Sequence, residues 1–260
     1  MIKYNKVDLL FGKKIKLAEN VGFEIPTVED MCYIDNFGLY TQPLVTTTRE
    51  MFSAHREVDA YEAKFPNVWQ MVFDEEGNQI LGQMYAVESG MNIIIEALSF
   101  WTKLHIDSFK VLTNKKIINE QAKWVIDEKV FLEFCELIKD VTNHQVNEEL
   151  VAPRNMSERQ LGVWEKLYKG RMRKLQKGSR TIGDKILILS ISMDSYIPIN
   201  EIRKMTIFHF NKLYEAISEK ESYEAMWDIK MSPKFDSKNS GDSKHWKESF
   251  KLRYKNNNMR

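Results

Sequence analysis

The sequence has little of what several protein classes require. Two cysteines, Cys32 and Cys135, lie far apart without a CxxC spacing, which predicts buried thiols in a reducing compartment and no disulfide framework. Eleven glycines in 260 residues is a low number for β-sandwiches, β-barrels and dinucleotide-binding folds, which depend on tight turns. Apolar runs such as Ile93–Ile95 are short, and none approaches the ~18 residues of a membrane span. Met1–Leu10 carries lysines but no apolar segment, so we expect no secretory signal.

Motifs that identify catalysis are also missing from the sequence. It contains no GxxxxGK[ST], GxGxxG, HExxH or GxSxG pattern. The five histidines are scattered singly, and no two are spaced to share one face of a helix. His55 lies in a polar cluster with Glu57 and Asp59, but such clusters are common on solvated surfaces. We therefore predict a non-enzymatic protein without a metal or cofactor.

What the chain does have is an uneven distribution of charge. Its net charge is only +1, from 38 basic and 37 acidic residues. Residues 152–180 nevertheless contain nine Lys or Arg against two acidic residues, and residues 229–260 contain nine against three. The rest of the chain is correspondingly acidic. Two basic segments on an acidic chain fit either a polyanionic partner or contact between parts of one fold.

Apolar spacing in the first half predicts helices around one small sheet. Thr27, with Asp30 three residues later, is a predicted helix cap. Met91–Leu104 is apolar on nearly all sides, which predicts a central buried helix. Short β-prone runs within 107–126 predict an antiparallel meander, whereas Asp74–Asn78 has the composition of a turn.

The second half follows a polar linker at 143–156 and is more regular. Ser157 and Thr181 are predicted to cap two helices, and Thr206 is predicted to open a longer one. Between the last two, Pro198 is expected to break the chain and Asn200 to cap a short turn. We predict a mainly α, bundle-like fold with a small antiparallel β element near 107–126. The predicted divisions are a domain at 1–142, a domain at 157–230 and a basic flexible tail at 231–260.

The helix that follows Ser157 carries a candidate binding surface. At about 100° per residue, its basic side chains fall nearly opposite the apolar face that runs from Leu161 to Leu175. Basic and aromatic residues alternate in the tail, which is typical of single-strand stacking or of a segment that folds on a partner. The alternative is a solvated lysine face. The candidate contacts for a polyanion or a partner are Lys166, Lys169, Arg173, Lys177, Lys247 and Lys251.

The order of elements in the C-terminal half resembles a known family. Residues 199–210, with Thr206 opening a long helix and a spaced aromatic at Tyr223, are similar to tail assembly chaperones of tailed phages that infect Gram-positive bacteria. The segment 236–241 and the following Trp246 fit the small-residue loop and the Trp of that family. The helix entry at 25–30 and the apolar helix at 181–193 are similar as well.

The resemblance implies a non-enzymatic role in the cytoplasm of the infected cell. Such chaperones coat the long apolar helix of the tape measure protein, recruit tail-tube subunits and are shed before the virion is complete. The β-prone insert 107–126 and the basic tail depart from the family, so no contact residue is carried over. Two alternatives stay open: a nucleic-acid-binding accessory protein that uses 157–180 and the tail, and a structural protein of the virion tail or baseplate. No membrane is implied as a partner, and an oligomer is compatible with each of these functions.

Overall fold

The computed structural model describes residues 2–33, 37–192 and 196–231, together with the single positions His245 and Lys247. Its contacts divide the chain into two compact units, which we describe separately. The large unit consists of Met1–Lys3, Lys14–Glu24 and Tyr33–Ser179. The small unit consists of Tyr4–Lys13, Ile25–Cys32 and the described part of Arg180–Arg260. The predicted division at 142, 157 and 231 stays a prediction; the contacts group the helix after Ser157 with the large unit.

The prediction of a mainly α protein with a small antiparallel β element is confirmed. Two antiparallel sheets, β1-β2 and β3-β4-β5, accompany the helices in the described residues. In chain order the elements are α1 (Lys6–Leu10), β1 (Ile15–Ala18), β2 (Val21–Phe23), α2 (Val28–Tyr33), α3 (Phe37–Val45), α4 (Thr48–Met51), α5 (Val58–Lys64), α6 (Val68–Val72), α7 (Glu75–Met84), α8 (Gly90–Thr102), β3 (Phe109–Leu112), β4 (Lys116–Asn119), β5 (Trp124–Ile126), α9 (Glu128–Thr142), α10 (Glu158–Gly178), α11 (Ile182–Ile191), α12 (Ile199–Lys204) and α13 (Ile207–Met231).

The core of the large unit forms around α8 and α9, as the apolar run at 91–104 predicted. Ser89 caps α8, and Trp101 is buried with its indole N–H donating to the Tyr40 carbonyl at 3.1 Å. The Trp101 ring stacks on Phe23 at 5.9 Å between centroids. Asp127 caps helix α9, and its carboxylate accepts a hydrogen bond from the Val130 N–H. Full burial of several large apolar side chains on these two helices supplies much of the stabilising free energy of this unit.

Residues 107–126 form the predicted meander. Strand β4 pairs with β3 and β5, with Phe109 opposite Asn119 and Ile117 opposite Ile126. Asn119 is fully buried but satisfied, because its amide N–H donates to Ser108 Oγ at 2.6 Å and its oxygen accepts from the Ala122 N–H at 2.9 Å. A buried polar side chain is tolerated only with such partners, so Asn119 fixes one register of the meander.

One predicted turn is wrong. Residues 74–78 form the start of α7, in which the Asp74 carboxylate accepts a hydrogen bond from the Gly77 N–H at 3.0 Å. An Asp followed by two Glu residues suits the positive end of the helix dipole, and the same polar residues are also common in turns. Composition alone therefore could not separate a turn from a helix start at this position.

The small unit joins segments that are distant in sequence. The Val28 N–H donates to the Met205 carbonyl and the Ile207 N–H to the Pro26 carbonyl, both at 2.9 Å. These bonds flank a bridge between Thr27 and Thr206. Both threonines cap helices as predicted: Thr27 Oγ1 accepts from the Asp30 N–H at 3.2 Å, and Thr206 Oγ1 from the His209 N–H at 3.1 Å. The buried core of this unit comprises Val28, Leu189, Ile202, Phe210 and Ile217.

Two local details of the small unit depend on backbone conformation. Gly12 has φ +65°, and an added Cβ would lie 2.9 Å from Thr206 Cγ2, so this position excludes larger residues. The predicted cap at Asn200 is wrong, because Asn200 lies inside α12, which begins at Ile199 directly after Pro198. Proline already has the φ of a helix start and needs no N–H there, so it opens α12 where we expected only a break.

Candidate functional site

Helix α10 is fixed to the large unit along one side. Ser157 caps its start as predicted, and forms a capping box with Gln160. Trp164 is buried and its indole N–H donates to the Ser53 carbonyl at 2.7 Å. Arg171 donates to the Glu149 carbonyl at 2.5 Å, and its guanidinium lies over the Trp164 ring at 5.6 Å. These contacts hold the helix and determine which face points outward.

The outward face of α10 is the predicted basic one. Lys166, Lys169, Arg173 and Lys177 are all exposed, whereas Trp164 on the other side is buried. The basic side is exposed as helical periodicity predicted, whereas Leu175 at the end of the predicted apolar face is 47% exposed. Binding by these side chains stays a prediction. Of the two candidates in the tail, Lys247 is exposed and Lys251 lies outside the described residues.

Apolar side chains are exposed at two places on the small unit. Leu187 and Ile191, one turn apart on α11, are 57% and 73% exposed. Near the end of α13, Trp227 and Met231 are 47% and 71% exposed, and Trp227 stacks on Tyr223. Sequence analysis missed these side chains, because a helix as apolar as α11 gives no sign of which side the fold leaves uncovered.

The polar cluster around His55 has a structural role that the sequence did not reveal. Its Asp59 carboxylate accepts a hydrogen bond from Arg49 at 2.8 Å, and Glu62 accepts from the same guanidinium nitrogen at 2.6 Å. The other guanidinium nitrogens donate to the carbonyls of Ala152 at 2.6 Å and Pro153 at 2.5 Å. Arg49 lowers the pKa of Asp59 by hydrogen bonding to the charged carboxylate. The buried arginine thus ties the predicted linker to α5.

The two cysteines differ in environment. Cys135 is buried as predicted, and burial raises the pKa of its thiol to about 12, which removes the thiolate needed for nucleophilic chemistry at neutral pH. The expectation of burial is wrong for Cys32, which is exposed. Cys32 is next to the end of the short helix α2, where the chain leaves the core that holds Val28.

Within the described ranges no group of three His, Cys, Asp or Glu side chains could hold a metal ion.

An open cavity of about 550 Å³ lies in the large unit between α5, α6 and the β3-β4 turn. Several of its charged groups are engaged in the fold. Lys64 bonds to Glu76, Asp127 caps α9, and Glu128 accepts from the amides of Asn67 and Gln70 at 2.8 and 3.1 Å. These bonds hold neighbouring elements together. The groups that form them therefore stabilise the fold and are poorly placed to act as a general acid or base.

In the part of the chain that the structure describes, no helix combines the length and apolar content needed to cross a bilayer.

Comparison with known proteins gives one match. The chain has no significant match among curated proteins or among solved structures. A family model described as the YomV second domain matches residues 174–251. The match begins in the last turn of α10, includes α11 to α13 and therefore contains the exposed apolar side chains of α11 and α13. Residues 174–251 are thus similar to the second domain of YomV, a family derived from Bacillus phage, and this similarity points to a phage protein.

Proposed function

We propose that this chain is a non-enzymatic phage protein that covers an apolar helix of a protein partner in the host cytoplasm. The phage-derived family match supports the phage context. The partner that we propose is the tape measure protein, because the C-terminal half resembles tail assembly chaperones in its order of helices. In this proposal the chain also helps to recruit tail-tube subunits and leaves before the virion is complete.

The observation that carries the proposal is the pair of exposed apolar side chains on α11, with a second exposed apolar group near the end of α13. Leu187 and Ile191 follow the i, i+4 spacing that places both side chains on one side of a helix. Exposed apolar side chains that recur with helical spacing are typical of surfaces that bind an amphipathic or apolar helix.

Charge is consistent with this choice of partner. The exposed half of α13 carries acidic residues around its aromatic pair, among them Glu221, Glu224 and Asp228. A charged rim around an apolar centre is the usual composition of a protein interface. The rim keeps the chaperone itself soluble while the apolar centre binds the partner.

Coexpression with the tape measure protein encoded by the same phage tests the proposal. We expect the wild-type chain to increase the soluble fraction of that protein. The double substitution Leu187→Ser with Ile191→Ser should remove most of this increase, because it replaces the apolar contact without disturbing buried side chains. The measurement is the amount of tape measure protein in the supernatant after centrifugation.

A matched control is available on α10. Val163 and Leu167 are also one turn apart and are 54% and 47% exposed, but they belong to the large unit. Val163→Ser with Leu167→Ser should preserve solubilisation. Equal loss in both double variants, or a tape measure protein that is soluble without this chain, would contradict the proposal. Detection of the chain in purified virions would favour a structural protein of the tail or baseplate.

A further inference from the structure

The outward face of α10 has a cationic field that the fold does not neutralise. From Lys166 to Gly178 the helix has six basic residues and no acidic one. The acidic residue that directly precedes this stretch, Glu165, is bonded to Arg56 at 2.6 Å. Some exposed cations elsewhere have carboxylate partners, as Lys110 has Glu120 at 2.8 Å. Within the described residues, Lys166, Arg173 and Lys177 form no ion pair.

The same face contains glycines that the fold does not require. An added Cβ at Gly162 or Gly170 would meet nothing within 4 Å beyond the helix's own neighbouring backbone. Glycine inside a helix is less favourable than alanine. At about 100° per residue the four candidate cations fall within an arc of about 80°, with Gly162 inside that arc and Gly170 at its edge. Glycines at such positions allow another backbone to approach the helix closely.

We propose that this face of α10 binds the phosphate backbone of duplex nucleic acid. The cations at 166, 169, 173 and 177 extend over about 16 Å of helix axis, whereas a duplex carries one charge per ~1.7 Å of its axis. Several phosphates therefore lie within reach of one side of the helix. Such contacts confer affinity without reading sequence.

The composition of the face favours nucleic acid over an acidic protein. The arc between the cations contains no apolar side chain; the exposed Val163 and Leu167 lie on the adjoining flank. Centres of protein interfaces are rich in aromatic and apolar residues and poor in lysine, whereas nucleic-acid interfaces are polar and strongly positive. Because Trp164 and Arg171 fix the opposite side of α10, the basic face is presented without further folding.

The test is binding of the full chain to a fluorescent duplex DNA of arbitrary sequence, measured by anisotropy from ~50 to ~200 mM salt. We expect binding in the micromolar range at the higher salt, with a log–log salt slope that is shallower by about 0.9 per lost contact when Lys166, Lys169, Arg173 and Lys177 are all changed to Gln. The matched control changes four exposed lysines elsewhere on the large unit to Gln, at positions 16, 115, 123 and 129, and should retain the wild-type slope. Far-UV circular dichroism confirms that both variants are folded.

The glycines provide an independent measurement. Gly162→Ala with Gly170→Ala should raise the melting temperature, because alanine favours the helix, and at the same time weaken DNA binding. If the variant is more stable but binds DNA as tightly as the wild type, the glycines do not serve to let a duplex backbone approach the helix, and that part of the proposal is overturned.

Three other outcomes would overturn the proposal: no measurable binding by the wild type, equal loss in the control variant, or binding of polyglutamate as tight as that of DNA with the same loss in the quadruple Gln variant. The last outcome would assign the face to an acidic protein partner. The proposal is independent of the proposed function, because the quadruple Gln variant should solubilise the tape measure protein as well as the wild type does.

Discussion

Leu98 shows how strongly single side chains determine the stability of the large unit. It is completely buried on α8, among side chains of which several are also fully buried. We expect Leu98→Ala to lower the free energy of unfolding by about 2–5 kcal/mol, because it removes buried apolar area and leaves a cavity. Chemical denaturation measures the change. Leu132→Ala, at a side chain that is 37% exposed on α9, is the control and should cost less. A loss below about 0.5 kcal/mol for Leu98→Ala would contradict its place in the core.

Arg49 leads to a prediction about pH. Its hydrogen bond keeps the pKa of Asp59 below the ordinary value of 3.8. A lowered pKa in the folded state gives stability that is complete above the unfolded pKa and is lost as the pH falls through the folded pKa. The free energy of unfolding should therefore decrease as the pH falls below about 4, and this decrease should be shallower in Arg49→Gln.

The same variant also tests the linker contact near neutral pH. Arg49→Gln leaves Asp59 and Glu62 facing each other and the carbonyls of Ala152 and Pro153 without a strong donor. Because both carboxylates are partly exposed, the loss should be smaller than the ~3–5 kcal/mol of a fully buried pair. Urea denaturation across a pH series measures both effects, and Arg56→Gln, at an exposed pair with Glu165, is the control. Parallel pH profiles for wild type and Arg49→Gln would contradict the role given to Arg49.

Among the secondary-structure elements, the sequence predicted those helices whose position depends on nearby residues, through apolar spacing or a capping side chain. Apolar patterning identified α8 and the outward face of α10, and capping residues identified the starts of α10, α11 and α13. The start of α7 was mistaken for a turn, because Asp and Glu suit both. Strand β2 was missed, because three residues are too few to show an alternating pattern.

The two candidate surfaces differed in how far the sequence predicted them, because only one of them follows from a local residue pattern. The basic face of α10 was visible in sequence, since cations at helical spacing point away from a buried Trp164. The exposed side chains on α11 were not, because Leu187 and the buried Leu189 are equally apolar. The contact between Arg49 and Ala152 joins residues 103 positions apart, and a sequence pattern carries no information about such a pairing.

At the scale of the whole molecule, the segments that build the small unit do not coincide with the family match. The match covers residues 174–251, but the core of this unit also contains Val28. Two of its backbone bonds connect 26–28 with 205–207. A unit defined by sequence similarity is therefore incomplete as a folding unit.

A fragment of residues 180–260 should consequently fail to fold cooperatively. It lacks Val28, the bonds from 26–28 and the α1 segment, so its apolar core stays partly exposed to water. We expect a broad thermal transition by far-UV circular dichroism, whereas the full chain should show a sharp one. A sharp transition of the isolated fragment with full helical content would contradict the contribution of the N-terminal segments.

The backbone bond between Val28 and Met205 also sets an order of events on the ribosome. At about 5–20 residues per second, Met205 is synthesised roughly 10–35 s after Val28. Throughout that interval the nascent segment 25–32 has no partner, while the residues up to Ser179 that complete the large unit emerge. Segment 25–32 must therefore stay available for pairing until Met205 has been synthesised, so the small unit cannot complete its fold before the large unit.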